Sequence, residues 1–249
     1  MAVTNAQRQY VRSLRQLKAR RKYGTFAVEG LTNVRELLTS DLTVTQLYAT
    51  ADAVDTLRPS VDPSSTNLYE VGQKELERLS SQKSPHGALA VVRQPAHDPQ
   101  ILAKAARVLF LDDLADPGNV GTLVRTAEWF GVEAIVASPA SVDWYNPKLV
   151  ASARGSLFRA AHFTMQVEEL RTAVGADAEL VVADLHGLGA RAFEWPQRTV
   201  LCLGSESRGP SERLLGLSPK PVTIERAASA KTESLNVAVA GSILCALWR

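Results

Sequence analysis

Apolar strand-like runs that alternate with helical segments are the feature of this chain that most restricts its fold. The run RVLFLDD (107–113) is apolar until two acids end it, as expected of a strand buried on both faces. The next segment, NVGTLVRTAEWFG (119–131), has helical spacing and ends on a glycine. Further strands are predicted at EAIVAS, AELVVADL, RTVLCLGS and KPVTIER. The alternation predicts a mostly parallel sheet with helices on both faces, whose ligands gather at the carboxyl ends of the strands.

The first 90 residues or so carry a second, smaller set of the same signals. Strands are predicted at TFAVEG, VTQLYAT, NLYEV and GALAVV, and helices at LTNVRELLTS and QKELERLSSQ. The stretch RQPAHDPQ (93–100) contains two prolines and no periodicity, so it is interpreted as a linker. We therefore predict two α/β domains, residues 1–96 and 97–249.

The two ends of the chain are unusual in composition. The first 24 residues contain seven arginines and lysines and no acid, since the first acidic residue is Glu29. Such a segment fits RNA or DNA phosphates, a solvated helix face or an organellar transit peptide. At the other end, the latter part of ESLNVAVAGSILCALW (233–248) is apolar on every face. A helix of that kind must be buried, either centrally or against another subunit.

Membrane and secreted classes are not indicated. No stretch approaches ~18 consecutive apolar residues, and the N-terminus lacks the apolar core of a signal peptide. Cys202 and Cys245 both lie inside apolar runs, which is typical of small buried hydrophobic residues and not of a disulfide framework. We expect a cytoplasmic protein with no membrane partner.

The loop GSESRGPSE (204–212) follows the predicted strand TVLCL, and three common loop chemistries fail to describe it. A nucleophile elbow needs serine where Glu206 stands, and a phosphate loop needs Gly-Lys-Ser/Thr where Arg208 and Gly209 stand. A partial dinucleotide fingerprint exists elsewhere, as Gly187-x-Gly189-x-x-Ala192, but Pro196 leaves no room for the helix that should follow. The loop needs another explanation.

Three loops, each at the end of a predicted strand, together resemble the motifs of the SpoU branch of the SPOUT RNA methyltransferases. The first motif is Asp116-Pro117-Gly118-Asn119-Val120-Gly121 with Arg125-Thr126-Ala127, the second is Gly204-Ser205-Glu206-Ser207-Arg208-Gly209, and the third ends in Glu233-Ser234-Leu235-Asn236-Val237. The resemblance covers residues from about 107 to 249. The first half looks like the small α/β substrate-binding domain that often accompanies these enzymes.

The resemblance implies a fold and an assembly that periodicity alone does not. The family has a deep trefoil knot in its C-terminal domain, a rare feature among proteins. It also forms homodimers whose active site is built across the subunit interface. The apolar C-terminal helix fits a knot core or a dimer interface, and a monomeric core would explain it equally well.

The resemblance also implies an activity, transfer of a methyl group from S-adenosylmethionine to the 2′-hydroxyl of a ribose in RNA. Gly204, Ile224 and Leu235 match the family's cofactor contacts, and no metal is expected. Arg125 matches the catalytic arginine, and its guanidinium is expected to clamp a phosphate near the target ribose or to assist a base.

Other matched positions surround this arginine. Asn119 is expected to cap its helix and to shape the active-site loop, and Glu206 to orient partners in the catalytic loop. Ser234 and Asn236 are expected in the first turn of the last helix. Asn236 is expected to contact substrate or Arg125, and Ser234 to cap the helix or contact substrate. In YNPKLVASARGSLFR (145–159), Arg154 and Ser156 could reach RNA or simply belong to an amphipathic helix.

One departure from the family concerns the third motif, in which Glu225 stands where a proline is usual. The segment between Ile224 and Leu235 is also longer, which is expected to loosen it. A catalytically silent RNA-binding protein is therefore one alternative, and a nucleotide-dependent oxidoreductase that uses Gly187 and Gly189 is another. Among methyltransferase substrates, 23S ribosomal RNA is preferred to transfer RNA, because a basic N-terminal arm accompanies an extra domain. A resistance-conferring methyltransferase that acts on the ribosome would look the same.

Overall fold

The computed structural model describes residues 3–82 and 84–248. The chain folds into two compact units. The first comprises the residues up to Ala96 together with Asp143–Arg159, and the second comprises His97–Val142 together with the chain from Ala160 onward. The sequence pattern does not indicate that Asp143–Arg159 belongs to the first unit.

The N-terminal part of the first unit contains four strands and five α-helices within its described residues. They are α1 (Asn5–Ser13), α2 (Leu17–Tyr23), β1 (Thr25–Glu29), α3 (Leu31–Leu38), β2 (Val44–Ala49), α4 (Ala51–Leu57), β3 (Asn67–Glu70), α5 (Gln73–Leu79) and β4 (Ala88–Arg93). The strand order is β1-β4-β2-β3, with β4 antiparallel to both neighbours and β2 parallel to β3. Val11, Leu14, Tyr48, Leu76 and Leu89 belong to its core. The predicted small α/β domain is confirmed.

The rest of the chain adds α6 (Gln100–Lys104), β5 (Arg107–Leu111), α7 (Pro117–Trp129), β6 (Ala134–Ala137), α8 (Pro147–Ala153), β7 (Ala161–Thr164), α9 (Val167–Val174), β8 (Glu179–Gly189), β9 (Thr199–Leu203), α10 (Glu212–Leu215), β10 (Lys220–Thr223) and α11 (Val237–Leu247). Of these, α8 lies in the segment that belongs to the first unit. The six strands form a parallel sheet in the order β10-β8-β9-β5-β6-β7. The predicted parallel sheet is confirmed, with one strand, β7, that the sequence pattern missed. No helix among the described residues combines the length and apolar character needed to cross a bilayer.

The basic N-terminal segment contains side chains with partners inside the first unit and side chains without them, a division that none of the three alternatives drawn from its charge foresaw. Arg20 is only 3% exposed, and its Nη2 and Nε donate to Oδ2 of Asp143 at 2.7 and 3.0 Å. Arg8 pairs with Glu75, and Arg15 donates to a main-chain carbonyl. Three of the seven basic side chains therefore have partners within the first unit, and the remaining four, Arg12, Lys18, Arg21 and Lys22, are exposed.

The C-terminal helix α11 packs on α7 without being buried on every side. A Cβ at Gly241 would lie 2.5 Å from a methyl carbon of Leu123, so glycine allows the close approach of the two helices. Thr126 and Ser242 join α7 to α11 through a 2.8 Å hydrogen bond between their hydroxyl groups. Val239, in contrast, is 48% exposed in the single chain. The prediction of complete burial is therefore not met within one subunit.

Two histidines of the second unit lie together in a poorly solvated position. Nδ1 of His162 is 2.9 Å from the carbonyl oxygen of Ala160 and 3.2 Å from Nε2 of His97. Burial lowers the pKa of His162 to about 4, and the Ala160 carbonyl only partly opposes that shift. Burial also lowers the pKa of His97. Burial thus disfavours the charged form of both imidazoles in the folded state.

We expect the free energy of unfolding to fall as the pH drops from about 6.5 towards 4. In that window the unfolded chain binds a proton at residue 162 and the folded chain does not, so the loss approaches about 3 kcal/mol. Urea denaturation at several pH values measures it. His162→Gln should flatten the profile, whereas the exposed His86→Gln should leave it unchanged. Equal slopes for His162→Gln and the parent protein would contradict the assignment.

Candidate functional site

The three motif loops meet at the carboxyl edge of the six-stranded sheet, around the side chain of Glu206. Oε1 of Glu206 accepts hydrogen bonds from Nδ2 of Asn119 and Nδ2 of Asn236, each at 2.8 Å. It also lies 3.4 Å from the main-chain nitrogen of Val237. Nδ2 of Asn236 reaches Oδ1 of Asn119 at 3.1 Å as well. One carboxylate oxygen of the second motif therefore binds a residue of the first motif and a residue of the third, which fixes the three loops relative to one another.

The helix that carries Asn119 begins one residue after Asp116. The side chain of Asp116 accepts from the main-chain nitrogen of Asn119 at 2.9 Å, and Pro117 occupies the first helical position, where a missing N–H costs nothing. Asn119 is thus the third residue of α7 and not its cap, which corrects the capping prediction. Because Asp116 does the capping, the Asn119 amide is available for Glu206.

The helix that follows the third motif is capped by Asn236 itself. Oδ1 of Asn236 accepts from the main-chain nitrogens of Ala238 and Val239 at 3.0 and 3.3 Å, while its Nδ2 donates to Glu206. The helix begins at Val237, so the prediction that Ser234 and Asn236 lie in its first turn is wrong. Ser234 lies in the preceding loop and is exposed. It is therefore free to face a substrate but does not cap.

Gly204 is required by the shape of its own loop. A Cβ at this position would lie 2.4 Å from the nitrogen of Pro210 and 2.5 Å from the carbonyl carbon of Gly209. The loop closes on itself through a 2.7 Å hydrogen bond from Gly209 N to Ser205 O, and Gly209 has a φ of 68°. This closure shapes the turn that presents Glu206 to the two asparagines. Close approach to a ligand is not needed to explain this glycine.

The loops of the first two motifs are joined by two acids, Asp112 and Asp113, which directly follow the apolar strand 107–111. Asp112 is buried, and its Oδ2 accepts from the main-chain nitrogen of Ser211 at 2.7 Å. Asp113 has a left-handed φ of 59°, and its Oδ2 lies 3.5 Å from Nη2 of Arg208. Arg208 therefore pairs with the first loop and not with Glu206. Two acids directly after a buried strand were the signal available in the sequence.

Arg125 lies on the exposed side of α7, almost two turns beyond Asn119. Within residues 3–82 and 84–248 its guanidinium forms no ion pair. The spacing 119, 122, 125 and 129 follows one stripe of the helix surface. The stripe runs from the Glu206 cluster through Arg125 to Trp129, which is 83% exposed. A charged donor is thus available beside the junction of the three motifs.

The segment from Ile224 to Leu235 has the properties of a ligand-binding loop. It contains no helix or strand. In the described chain one main-chain hydrogen bond lies within it, from Ala230 N to Ala227 O, and the Arg226 side chain donates through Nη1 to Thr232 O. Ile224 is half-buried and Leu235 is 47% exposed. Unused amide groups between two apolar side chains suit a planar heterocycle with polar edges.

Glu225 anchors the start of this segment. Its Oε1 accepts from the main-chain nitrogen of Arg191 at 3.3 Å, and a Cβ at Gly189 would lie 2.6 Å from the same oxygen. The expectation that replacing proline by Glu225 leaves the whole segment loose therefore does not hold at this end. The anchored carboxylate takes over part of the restraint that a proline ring would supply.

The partial dinucleotide fingerprint has a structural explanation. Gly187 and Gly189 both lie within β8 and not at the start of a helix. A Cβ at Gly187 would lie 2.5 Å from main-chain atoms of Pro221 and Val222 in the neighbouring strand β10. The glycines therefore allow close strand contact, and the oxidoreductase alternative loses its basis. Ser156 is buried, which excludes the predicted RNA contact for that residue, whereas Arg154 is exposed.

Comparison with known proteins gives two family matches and several whole-chain relatives. Residues 106–246 match the SpoU rRNA Methylase family, and residues 5–90 match the MRM3-like substrate binding domain. The chain is 30% identical over 247 residues to the 23S rRNA (guanosine(2553)-2′-O)-methyltransferase RlmP of Bacillus subtilis, covering 97% of this chain and 96% of that protein. It is 33% identical over 189 residues to the 23S rRNA (uridine(2479)-2′-O)-methyltransferase of Streptomyces viridochromogenes, covering 71% of this chain and 62% of that protein.

Two solved structures resemble the whole chain. A TrmH-family protein from Porphyromonas gingivalis superposes with a TM-score of 0.90 at 32% identity, covering 100% of this chain and 99% of that one. The SpoU methyltransferase AviRb from Streptomyces viridochromogenes, solved in complex with AdoMet, has a TM-score of 0.84 at 27% identity, covering 98% and 97%. The likeness extends through both units of the chain.

Proposed function

The chain belongs to the SpoU rRNA methylase family, and from this premise we propose that it transfers a methyl group from S-adenosylmethionine to the 2′-hydroxyl of a ribose in 23S ribosomal RNA. The observation that carries the proposal is the Glu206 cluster. Its hydrogen bonds to Asn119 and Asn236 join the three family motifs at one edge of the sheet. Two relatives named for ribose methylation of 23S RNA support this substrate, and transfer RNA is less favoured.

The residues of the third loop fit the cofactor. When bound, S-adenosylmethionine supplies a methyl group on a sulfonium, which is already a good leaving group. We assign its adenosine to the unused main-chain groups between Ile224 and Leu235, with these two apolar side chains against the base. Gly204 contributes indirectly, because the absence of a Cβ lets the second loop fold closely on itself and so lets the neighbouring main chain approach the ligand. The anchored Glu225 argues against a catalytically silent relative.

The RNA side of the site is assigned to Arg125 and to the loop that contains Ser234. A ribose hydroxyl is a poor nucleophile, and a guanidinium stays charged at neutral pH, so it does not serve as a base by itself. Its planar fork instead suits a phosphate next to the target ribose, which it would hold in line with the methyl group. Asn119 and Asn236 keep their loops in register through Glu206, and the exposed Ser234 faces the substrate.

We also propose a homodimer, with the exposed faces of α7 and α11 in the interface. Trp129 and Val239 are large apolar side chains left exposed on these two packed helices. Exposed apolar patches of this kind mark interaction surfaces. Trp129 follows Arg125 by one helical turn, so a partner that covers Trp129 approaches the catalytic arginine. The knot implied by the family stays a prediction, in keeping with a chain that passes from β9 to the far side of β8 to form β10.

Trp129→Glu is expected to convert the dimer to a monomer, because a buried unpaired charge at the interface costs several kcal/mol. Sedimentation should give twice the 26.9 kDa chain mass for the parent protein and the chain mass for the variant. Leu17→Glu, which adds the same charge at an exposed apolar position of the first unit, should remain dimeric. A monomeric parent protein at micromolar concentration would refute the dimer.

The reaction is tested by tritiated-methyl transfer from S-adenosylmethionine to separate pools of ribosomal and transfer RNA. We expect label in ribosomal RNA that survives alkali at the modified linkage, since a 2′-O-methyl group blocks attack on the adjacent phosphate. Label confined to transfer RNA would overturn the substrate assignment. No label in either pool, with no heat of cofactor binding by calorimetry, would overturn the enzyme assignment. With ribosomal RNA as substrate, we place the enzyme in the cytoplasm.

A further inference from the structure

We propose that Lys18, Arg21, Lys22 and Tyr23 form a contact surface for an unpaired segment of the RNA substrate, with phosphates on the basic side chains and a base on the tyrosine ring. This α2 surface lies in the first unit, far along the chain from the three methyltransferase motifs. The inference rests on the proposed function, because it names the part of the RNA that the first unit holds.

The geometry of α2 separates this surface from the core. Lys18, Arg21 and Lys22 are spaced by three and four residues, which puts them on one side of the helix. All three are exposed. Arg20 lies on the other side, is buried and is held by Asp143. The helix thus uses one basic residue for folding and directs the others to solvent.

The three exposed charges are not neutralised by acidic residues. No acid precedes Glu29 in the sequence. In the described part of the first unit, Glu75 pairs with Arg8 and Asp143 pairs with Arg20. None of the ion pairs among those residues includes Lys18, Arg21 or Lys22. A compact group of unpaired cations fits a phosphate backbone, whose binding releases counterions.

Tyr23 gives the surface a flat apolar element beside the charge. The side chain is 45% exposed although aromatic, and Nζ of Lys22 lies 5.1 Å from its ring centroid. The Tyr10 ring contacts it edge-on at 5.0 Å and 89°, which holds the ring in place. A cation next to a fixed ring matches the phosphate and base of one nucleotide. Only an unpaired nucleotide offers its base for stacking, so we assign a single-stranded or loop segment and not a duplex.

The test combines binding and turnover in the full-length protein. We use fluorescence anisotropy with a single-stranded 23S RNA fragment, a blunt RNA duplex of equal length and an acidic peptide, at several salt concentrations. The triple variant Lys18→Gln, Arg21→Gln, Lys22→Gln should bind the single strand about tenfold more weakly and lower the salt slope of log K by about 2, since each phosphate contact contributes ~0.7. In methyl transfer, KM for RNA should rise while kcat at saturating RNA stays constant.

Two further variants separate charge from stacking. Tyr23→Ala should weaken single-strand binding about fivefold or more, whereas Tyr23→Phe should bind normally, because stacking needs the ring and not the hydroxyl. A charge-matched control, Arg35→Gln, Arg58→Gln, Lys74→Gln, removes three exposed cations elsewhere in the first unit and should keep the parent KM. Thermal unfolding of each variant checks that it folds.

Several outcomes would overturn the α2 surface. These are an unchanged KM and salt slope in the triple variant, an equal loss in the charge-matched control, preference for the duplex, or tighter binding of the acidic peptide than of RNA. Failure of the proposed reaction is distinguishable from these outcomes. If the parent protein transfers no methyl group but the triple variant still binds RNA more weakly than the parent, the α2 surface would be supported and the proposed reaction would be refuted.

Discussion

Replacing Arg125 with alanine is expected to lower kcat for RNA methylation by about 10²–10³-fold while the Kd for S-adenosylmethionine stays the same. The guanidinium is exposed on α7 and has no ion pair in the described chain, so its donors are available to a phosphate of the substrate. Loss of a donor aimed at developing charge, or of the in-line geometry it enforces, typically costs this much. Single-turnover transfer measures the rate, and calorimetry measures cofactor binding.

The companion variants of Arg125 give the reason for the loss. Arg125→Lys keeps the charge but not the planar fork, so we expect it to recover about a tenth of the parent kcat. Lys104→Ala removes an exposed positive charge from another helix of the second unit and should leave kcat unchanged. Near-normal turnover in Arg125→Ala would exclude this residue from the reaction. Full activity in Arg125→Lys would show that charge alone suffices.

The parallel sheet could be predicted because its strands are buried on both faces and therefore form continuous apolar runs. The strand that was missed, β7, spans only Ala161–Thr164 and pairs on one side, with β6. A four-residue edge strand leaves too short a pattern to separate it from a loop. The strand order and the assignment of Asp143–Arg159 to the first unit depend on long-range packing, which no local pattern encodes.

The convergence of the three motifs could also be predicted, since each follows a strand of one parallel sheet. The side-chain hydrogen bonds that join the three motifs could not be predicted. Near the start of each motif helix two residues can cap, Asp116 and Asn119 for α7, Ser234 and Asn236 for α11. Propensity does not choose between such close candidates. The structure selects Asp116 and Asn236, and that choice leaves an amide of each asparagine free for Glu206.

The basic N-terminus shows the limit of reading function from charge. Composition identifies seven cations but does not say that Arg20 pairs with a residue 123 positions away. A buried arginine needs its carboxylate, and Asp143 lies in a segment that the sequence pattern does not assign to the first unit. Once that pair is known, helical spacing alone separates Arg20 from Lys18, Arg21 and Lys22.

Glu206→Ala is expected to lower kcat by about 10²-fold, with little change in KM for RNA. The substitution removes the oxygen that accepts from Asn119 and Asn236, so the three motif loops lose their common anchor. Displacement of a catalytic group by about 1 Å is enough for a loss of this size. Glu212→Ala, an exposed glutamate on the neighbouring helix α10, should keep the parent kcat and serves as the control.

Glu206→Gln decides how the residue acts, because all three hydrogen bonds that Glu206 accepts in the cluster reach the same atom, Oε1. Glutamine places a carbonyl oxygen there and can accept from both asparagine amides, with bonds weaker than those to a charged group. If Glu206 positions the loops, the glutamine variant should recover most of the kcat that alanine loses, to within about tenfold of the parent. If Glu206 instead removes the ribose proton, glutamine should be as inactive as alanine, because an amide does not accept that proton. Equal inactivity of the two variants, with both folded by thermal unfolding, would therefore make Glu206 the base, whereas recovery in glutamine alone keeps it a positioning residue.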